Sequence, residues 1–427
     1  LMGSEAVDSL LRELYPLCRS ITGDGTRATL DVIERFIPLS RTEVPSGYKA
    51  FEWEVPLEWN VRDAWVCNAA GDRVVDFQRH NLHVVNYSTP VRQRMSLEQL
   101  RPHLFSLPEH PDWIPYRTSY YSPSWGFCLT HRQLEALAPG EYEVCIDATL
   151  LPGALTIAEA VLPGDSSDEV LVFTHVCHPS LANDNLSGIA VAALLAQQLA
   201  ERPRTLTYRF VFAPTTIGSI TWLSMNETRV GRIRHGLVLA SLGDRGPFVY
   251  KQSRRGDAVV DRVAAYALSH KAGATVERFS PYGYDERQFC SPGFNLPVGR
   301  LTRTPNGRYP EYHTSADNLD FISADAIREA LELCVGLCAM LESNQAYVNL
   351  APKCEPRLGP RNLFRNLGGR GPSELEHAVL WALNMSDGSN DPLEIAVRSG
   401  IPYPVVIRAV HALRDAGLLR LPGRDNA

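Results

Sequence analysis

The densest chemistry in this chain lies in the run His175-Val-Cys-His-Pro-Ser-Leu-Ala-Asn-Asp184-Asn-Leu-Ser-Gly188. It follows the apolar stretch 170–173, which reads as a buried strand. It leads into 189–200, which has helical length and few breakers. An imidazole therefore stands at the carboxyl end of a strand, with a carboxylate at the mouth of the next helix. Open α/β sheets place their ligands at that edge. The plainer alternative is a helix N-terminus capped by Asp184 or Ser187, with two histidines on a loop.

Further segments repeat the pattern. Tyr208-Arg-Phe-Val-Phe-Ala213 reads as a second strand and ends at the polar turn 214–219. Residues 237–241 read as a third strand, ending at Gly243-Asp244. Glu311-Tyr-His313 precedes a helix expected to start near Ser323. His175, Asp184, Asp244 and His313 thus form a set of two imidazoles and two carboxylates. Zinc accepts both donor types. No CxxC pair exists, which argues against a structural zinc ribbon.

The motifs His-Val-Cys-His-Pro-Ser (175–180), Asn-Asp-Asn-Leu-Ser-Gly (183–188), Thr-Ile-Gly-Ser (216–219), Gly-Asp (243–244), Asp-Glu-Arg-Gln-Phe-Cys-Ser-Pro-Gly (285–293) and Tyr-His-Thr-Ser-Ala-Asp (312–317) carry a resemblance. The chain resembles the zinc aminopeptidase superfamily, which also contains glutaminyl cyclases. Within it, the chain is most similar to bacterial aminopeptidase-like proteins with an inserted domain and a C-terminal winged helix. The resemblance implies an α/β fold: a mixed-sheet, three-layer domain of the phosphorylase/hydrolase type. It also implies one or two zinc ions. His175 and Asp244 would bind one metal, Asp184 would bridge, and His313 would serve the second position. Asn183 neighbours Asp184, and Asp184 is preferred because a neutral amide bridges metals poorly. Asp285, Arg287 and Tyr312 fall on the family's substrate side. Arg287 could pair bidentately with a substrate carboxylate, and Glu286 could hold an amine.

One departure from the family pattern bears on activity. Aminopeptidases of this superfamily carry a Glu-Glu pair after the second strand, a general base followed by a metal ligand. This chain reads Thr215-Thr216 there. A threonine hydroxyl cannot act as a general base near neutral pH, and losing such a base costs about 10²–10⁴-fold. Thr215 would then only position a group, with Glu286 or His178 as substitute bases. The expected activity is a specialised amide hydrolase or acyl-transfer enzyme acting on a small amino-acid- or peptide-like substrate. The alternative is a degenerate peptidase that binds a ligand or partner without turnover. Cys177 stands where wider kin have an aspartate that orients the histidine; a thiol does this poorly.

Composition bounds these readings. The chain has 427 residues, 44% hydrophobic and 21% charged, as in ordinary globular proteins. A net charge of −6 gives no electrostatic case for nucleic acid or anionic membrane. No apolar run reaches the roughly 18 residues that span a bilayer, and no secretory-signal pattern is present. Nine scattered cysteines suggest reduced thiols and a cytoplasmic location.

Composition shifts divide the chain. Residues 5–44 and 149–345 are expected to form a split aminopeptidase-like metal domain. Two helices open it, broken at Gly23-Asp-Gly25, with Thr26 able to cap the second. Residues 45–148 read as an inserted β-rich domain, with a hairpin across 63–77. Its segment Tyr116–Trp125 could overhang the metal site or be plain surface loop. Residues 346–370 read as a linker and 371–424 as a winged helix. From Gly371 to Ala427 there are five arginines, no lysine and seven acidic residues. That balance favours a packing or dimerising module, with no nucleic acid expected.

Overall fold

The computed structural model describes residues 4–364 and 371–422, which divide into two compact units, Leu1–Val335 and Gly336–Ala427. The centre of the first unit is a mixed eight-stranded sheet. Its strands are β1 (Ser40–Pro45), β2 (Ala154–Leu162), β3 (Glu169–His175), β4 (Thr207–Ala213), β5 (Ile233–Leu239), β6 (Val249–Lys251), β7 (Thr275–Glu277) and β8 (Val298–Thr302). Their spatial order is β1-β2-β4-β3-β5-β8-β6-β7. The central strands β4, β3, β5 and β8 are parallel. β2 joins β4, and β1 joins β2, in antiparallel fashion. Every residue of β3 is buried, as the apolar run 170–173 requires of a strand covered on both faces.

β1 precedes the β-rich segment in sequence and β2 follows it, and Ser40 pairs with Glu159 in one ladder. Before β1 come α1 (Ser4–Leu14) and α2 (Asp24–Glu34). Thr26 does not cap α2. Gly23 holds the N-cap position at φ 97°, and the Thr26 hydroxyl donates to the Ser20 carbonyl at 2.7 Å. A Cβ on Gly25 would lie 1.9 Å from the Cys18 carbonyl oxygen, so only glycine fits there. The remaining helices of this unit that matter for the site are α3 (Gly188–Ala200) and α4 (Ile217–Asn226).

Residues 58–151 build a four-stranded antiparallel sheet from Arg73–Asp76, Glu58–Cys67, Glu141–Leu151 and Val91–Ser96, in that spatial order. The expected hairpin is present, with Trp65 opposite Asp76 and Val66 opposite Val75. Trp59 is fully buried, and its indole N–H donates to the Ser88 carbonyl at 2.8 Å. Part of the segment leaves this sheet. Pro115 forms an isolated bridge with Thr314, and the Tyr116 amide donates to the His313 carbonyl at 2.8 Å.

α5 (Ala324–Ser343) starts where the sequence places it. The second unit contains α6 (Glu374–Met385), α7 (Pro392–Ser399) and α8 (Tyr403–Asp415). Asp391 caps α7 through its side chain, and Gly400 ends it at φ 71°. Leu419–Arg420 pairs with Val348–Asn349. The stretch expected as a linker therefore supplies a strand of this unit, while its residues 365–370 lie outside those described. No described helix is long and apolar enough to cross a membrane.

Candidate metal centre

His175 is the last residue of β3, and the chain then turns through 176–187 before α3. Two asparagines fix this loop. The Asn185 amide donates to the Thr174 hydroxyl at 2.8 Å and to the His175 carbonyl at 3.0 Å. Its carbonyl accepts the Ser241 N–H at 3.2 Å. Asn183 turns the other way: it donates to Asp244 at 2.9 Å and accepts the Gly243 N–H at 2.8 Å. Gly188 is required by this packing, since a Cβ there would sit 2.3 Å from Asn185 Oδ1.

The loop delivers Asp184, fully buried, to the centre of three imidazoles. Its Oδ1 lies 2.9 Å from His175 Nε2. Its Oδ2 lies 3.0 Å from His313 Nε2 and 3.7 Å from His178 Nε2. Its neighbour Asn183 points instead to Asp244 and Gly243. Burial alone would raise the Asp184 pKa. The charge of His178 and the hydrogen bonds of His175 and His313 outweigh burial and hold it well below the usual carboxylate range. Burial pushes the His178 imidazole well below its ordinary value, against the pull of Asp184.

The donor set suits zinc. Tetrahedral bonds of roughly 2.0–2.1 Å put neighbouring ligand atoms about 3.3 Å apart. The Asp184–imidazole distances bracket that value, and the ligating atoms of His175, His178 and Asp184 all lie within 4.8 Å of one another. His175 Nδ1 is buried without a hydrogen-bond partner, although metal-bound imidazoles usually donate their second N–H. Cys177 is no substitute orienter, because its sulfur contacts His178 Nδ1 at 3.1 Å instead.

The other expected site residues separate into groups. Neither Asp244 nor His313 is among the residues whose ligating atoms lie mutually within 4.8 Å. The Asp244 carboxylate accepts from Asn183, the Gly246 N–H and both the N–H and hydroxyl of Thr304. Thr215 donates its hydroxyl to Asp285 at 3.0 Å, and the Thr216 N–H donates to Asp285 at 2.8 Å. Ser219 adds a third donor at 2.6 Å. Burial raises the Asp285 pKa, while His175 and these donors pull it down. Arg287 reaches the Thr216 hydroxyl at 3.3 Å. Glu286 points elsewhere, into a fully buried ion pair with Lys251 at 2.5 Å. Tyr312 stacks on His313, with ring centroids 3.9 Å apart.

Sequence reasoning gave three other residues too little weight. His178 entered only as a substitute base, although the spacing His-x-x-His already held the signal. Asp317 was one letter of a motif, yet its carboxylate accepts the backbone N–H groups of Asn183 and Asp184. Tyr116 does overhang the cluster. Its ring lies 5.2 Å from His178 and 5.0 Å, edge-on, from His313.

Residues 8–344 match the family model described as a domain of unknown function, DUF4910. The chain belongs to the DUF4910 family. Residues 345–421 match a winged helix-turn-helix model. This DUF4910 chain is 46% identical over 415 residues to a Clostridium acetobutylicum protein, covering 97% of this chain and 95% of that one. The relative is provisionally named a polysaccharide biosynthesis protein with an aminopeptidase-like domain. A crystal structure of a provisionally named peptidase from Clostridium acetobutylicum matches at TM-score 0.92 and 45% identity, covering 98% of this chain and 96% of that chain. A zinc aminopeptidase from Bacillus subtilis matches at TM-score 0.58 and 12% identity, covering 80% of this chain and 95% of that chain. The last likeness carries the fold: a DUF4910 domain has the aminopeptidase-like mixed sheet, followed here by a winged helix.

Proposed function

We propose that this chain is a zinc-dependent, hydrolase-like enzyme acting at an amide-type carbonyl of a small substrate used in saccharide polymer assembly. The observation that carries this reading is the convergence of His175, His178 and His313 on the buried carboxylate of Asp184. His175, His178 and Asp184 could hold one zinc ion, with His313 beside them on Asp184, and the ion would supply Lewis acidity toward a carbonyl. Asp244, held by its own hydrogen bonds, stays outside that set. The Thr215 hydroxyl would position a water or a substrate group. It cannot take the proton itself at neutral pH, but it stands on Asp285, a buried carboxylate. Arg287 and Asp285 border the same turn at Thr216. The saccharide context comes from the provisional name of the Clostridium relative.

A second reading is a binding protein without turnover. It is favoured by Thr215-Thr216 standing where relatives of the aminopeptidase superfamily carry two glutamates. Elemental analysis and turnover of N-acyl amino acid and N-acyl sugar panels separate the two. Stoichiometric zinc with chelator-sensitive amide cleavage supports the enzyme. Zinc with ligand binding and no cleavage supports the binding protein, and absence of metal from freshly purified and zinc-reconstituted protein removes the first reading. The winged helix, with its acidic balance, is read as a protein-contact module.

A further inference from the structure

The metal cluster is nearly closed. The side chains of His175, His178 and Asp184 are 1%, 8% and 0% exposed, whereas that of His313 is 33% exposed. A substrate must therefore approach from the His313 side. A cavity of about 410 Å³ lies there, and His313 forms part of its wall. One side comes from residues 310–314 of the main domain and the other from residues 105–117 of the β-rich segment. The Pro115–Thr314 bridge and the paired Ile114–Ser315 hydrogen bonds at 2.9 and 2.8 Å fix the two sides together. The walls offer the rings of Phe105, Tyr116 and Tyr312.

One wall cation is exposed and unpaired among the described residues. The Arg117 guanidinium lies 4.2 Å from the centre of the Phe105 ring. It has no carboxylate or hydrogen-bond partner among the described residues. Contact with the ring leaves the N–H fork free, the group that recognises carboxylate or phosphate oxygens. Glu109, also on the wall and without an ion pair among the described residues, could accept from hydroxyl groups.

We propose that this cavity is the specificity subsite and takes an anion-bearing saccharide, its ring against the aromatic walls and its carboxylate or phosphate on Arg117. The saccharide class rests on the function proposed above; the anion rests on Arg117 itself. The β-rich segment thereby supplies the half of the subsite that the metal domain lacks.

Calorimetric titration of the full chain tests this with three probes: N-acetylglucosamine, N-acetylmuramic acid and N-acetylglucosamine 6-phosphate. The expected result is about tenfold tighter binding of at least one acidic sugar than of the neutral one. Arg117→Ala, at an exposed position, abolishes that preference without changing the melting temperature. Arg117→Lys keeps more of a phosphate preference than of a carboxylate preference, because only arginine offers the planar fork. Equal binding of neutral and acidic sugars overturns the proposal. So does a preference that survives Arg117→Ala, or a lack of saturable binding by any probe in the millimolar range. Preference for an acidic sugar in His175→Ala protein, with no turnover by the unmodified chain, upholds the subsite while the catalytic reading fails. Turnover indifferent to Arg117→Ala does the reverse.

Discussion

Asp317 holds Asp184 by its backbone: Asp317 Oδ2 accepts the Asp184 N–H at 3.0 Å, while Oδ1 accepts the preceding amide, that of Asn183, at 2.5 Å. Asp317 lies four residues after His313, so one short loop supplies both a cluster imidazole and the brace for its carboxylate. Asp317→Asn replaces one acceptor oxygen by an amide that faces an N–H. The expected cost is about 1–3 kcal/mol of stability. Zinc affinity should fall about 10–100-fold, as when outer partners of metal ligands are changed. Competition with a chromophoric chelator measures the affinity; an unchanged value denies Asp317 a positioning role.

His178 and Asp244 exchange importance between sequence and structure. His178→Ala should lower zinc occupancy sharply. Asp244→Asn should leave occupancy intact while lowering the melting temperature, because Asp244 braces Thr304 and Asn183. Metal analysis of both variants decides the assignment, and loss of zinc from Asp244→Asn would restore the family's ligand pattern.

Restoring a glutamate at position 215 should not by itself restore peptidase activity. The Thr215 hydroxyl donates to Asp285, and a glutamate there would set a second carboxylate against the buried Asp285. Thr215→Glu is expected to lower the melting temperature, and Asp285→Asn added to it should recover part of the loss. Turnover of aminoacyl p-nitroanilides should be weak in the unmodified chain and greatest in the double variant. Robust turnover by Thr215→Glu alone would show that Asp285 does not oppose a base at this position.

What was legible follows from what each signal depends on. β3 and β4 carry the apolar cores 170–173 and 210–213, and burial on both sheet faces demands apolar side chains at successive positions there. His175 and Asp184 were legible because a strand end and a helix mouth bracket them. Asp244 shows why the letters underdetermine a site: a carboxylate at a strand end has the same sequence signature whether it faces a metal or caps a loop. Asp285 and Glu286 are adjacent letters at the start of a helical turn, where successive side chains diverge by about 100°. Asp285 meets Thr215 and Glu286 meets Lys251, a distinction that the letters alone do not carry. Arg117 was invisible as a site because its partner wall lies some two hundred residues on in sequence.

Acid should loosen the join between α2 and the β-rich segment. Arg27 pairs with Glu58 at 2.7 Å. That hydrogen-bonded pair lowers the Glu58 pKa from 4.5 to about 2. The folded pKa is depressed, so this stabilisation is present above about pH 4.5 and is lost as pH falls toward 2. The pair is partly exposed, and solvent screening limits its worth to about 1 kcal/mol. Glu58→Gln should lower stability at pH 7 by about that amount and remove its share of the acid dependence. Urea unfolding at pH 7 and pH 3 measures both; equal destabilisation at the two pH values contradicts the pairing.

Glu286 gives the sharpest contrast between a catalytic and a structural carboxylate. It is fully buried, with Lys251 Nζ at 2.5 Å and Arg300 at 3.8 Å. Burial lowers the Lys251 pKa, and Glu286 counters that. Glu286→Gln therefore leaves the buried Lys251 without its carboxylate, while Arg300 keeps Glu277 at 3.8 Å, and breaking such a buried pair costs about 3–5 kcal/mol. The Lys251 ammonium also donates to the carbonyls of Ser280 and Tyr282 at 3.0 and 2.6 Å, which places the expected loss near the lower end. Adding Lys251→Met to Glu286→Gln should recover part of it, since the cation is removed with its partner. A general base would behave otherwise: Glu286→Gln would abolish turnover at unchanged stability, and Lys251→Met would rescue nothing.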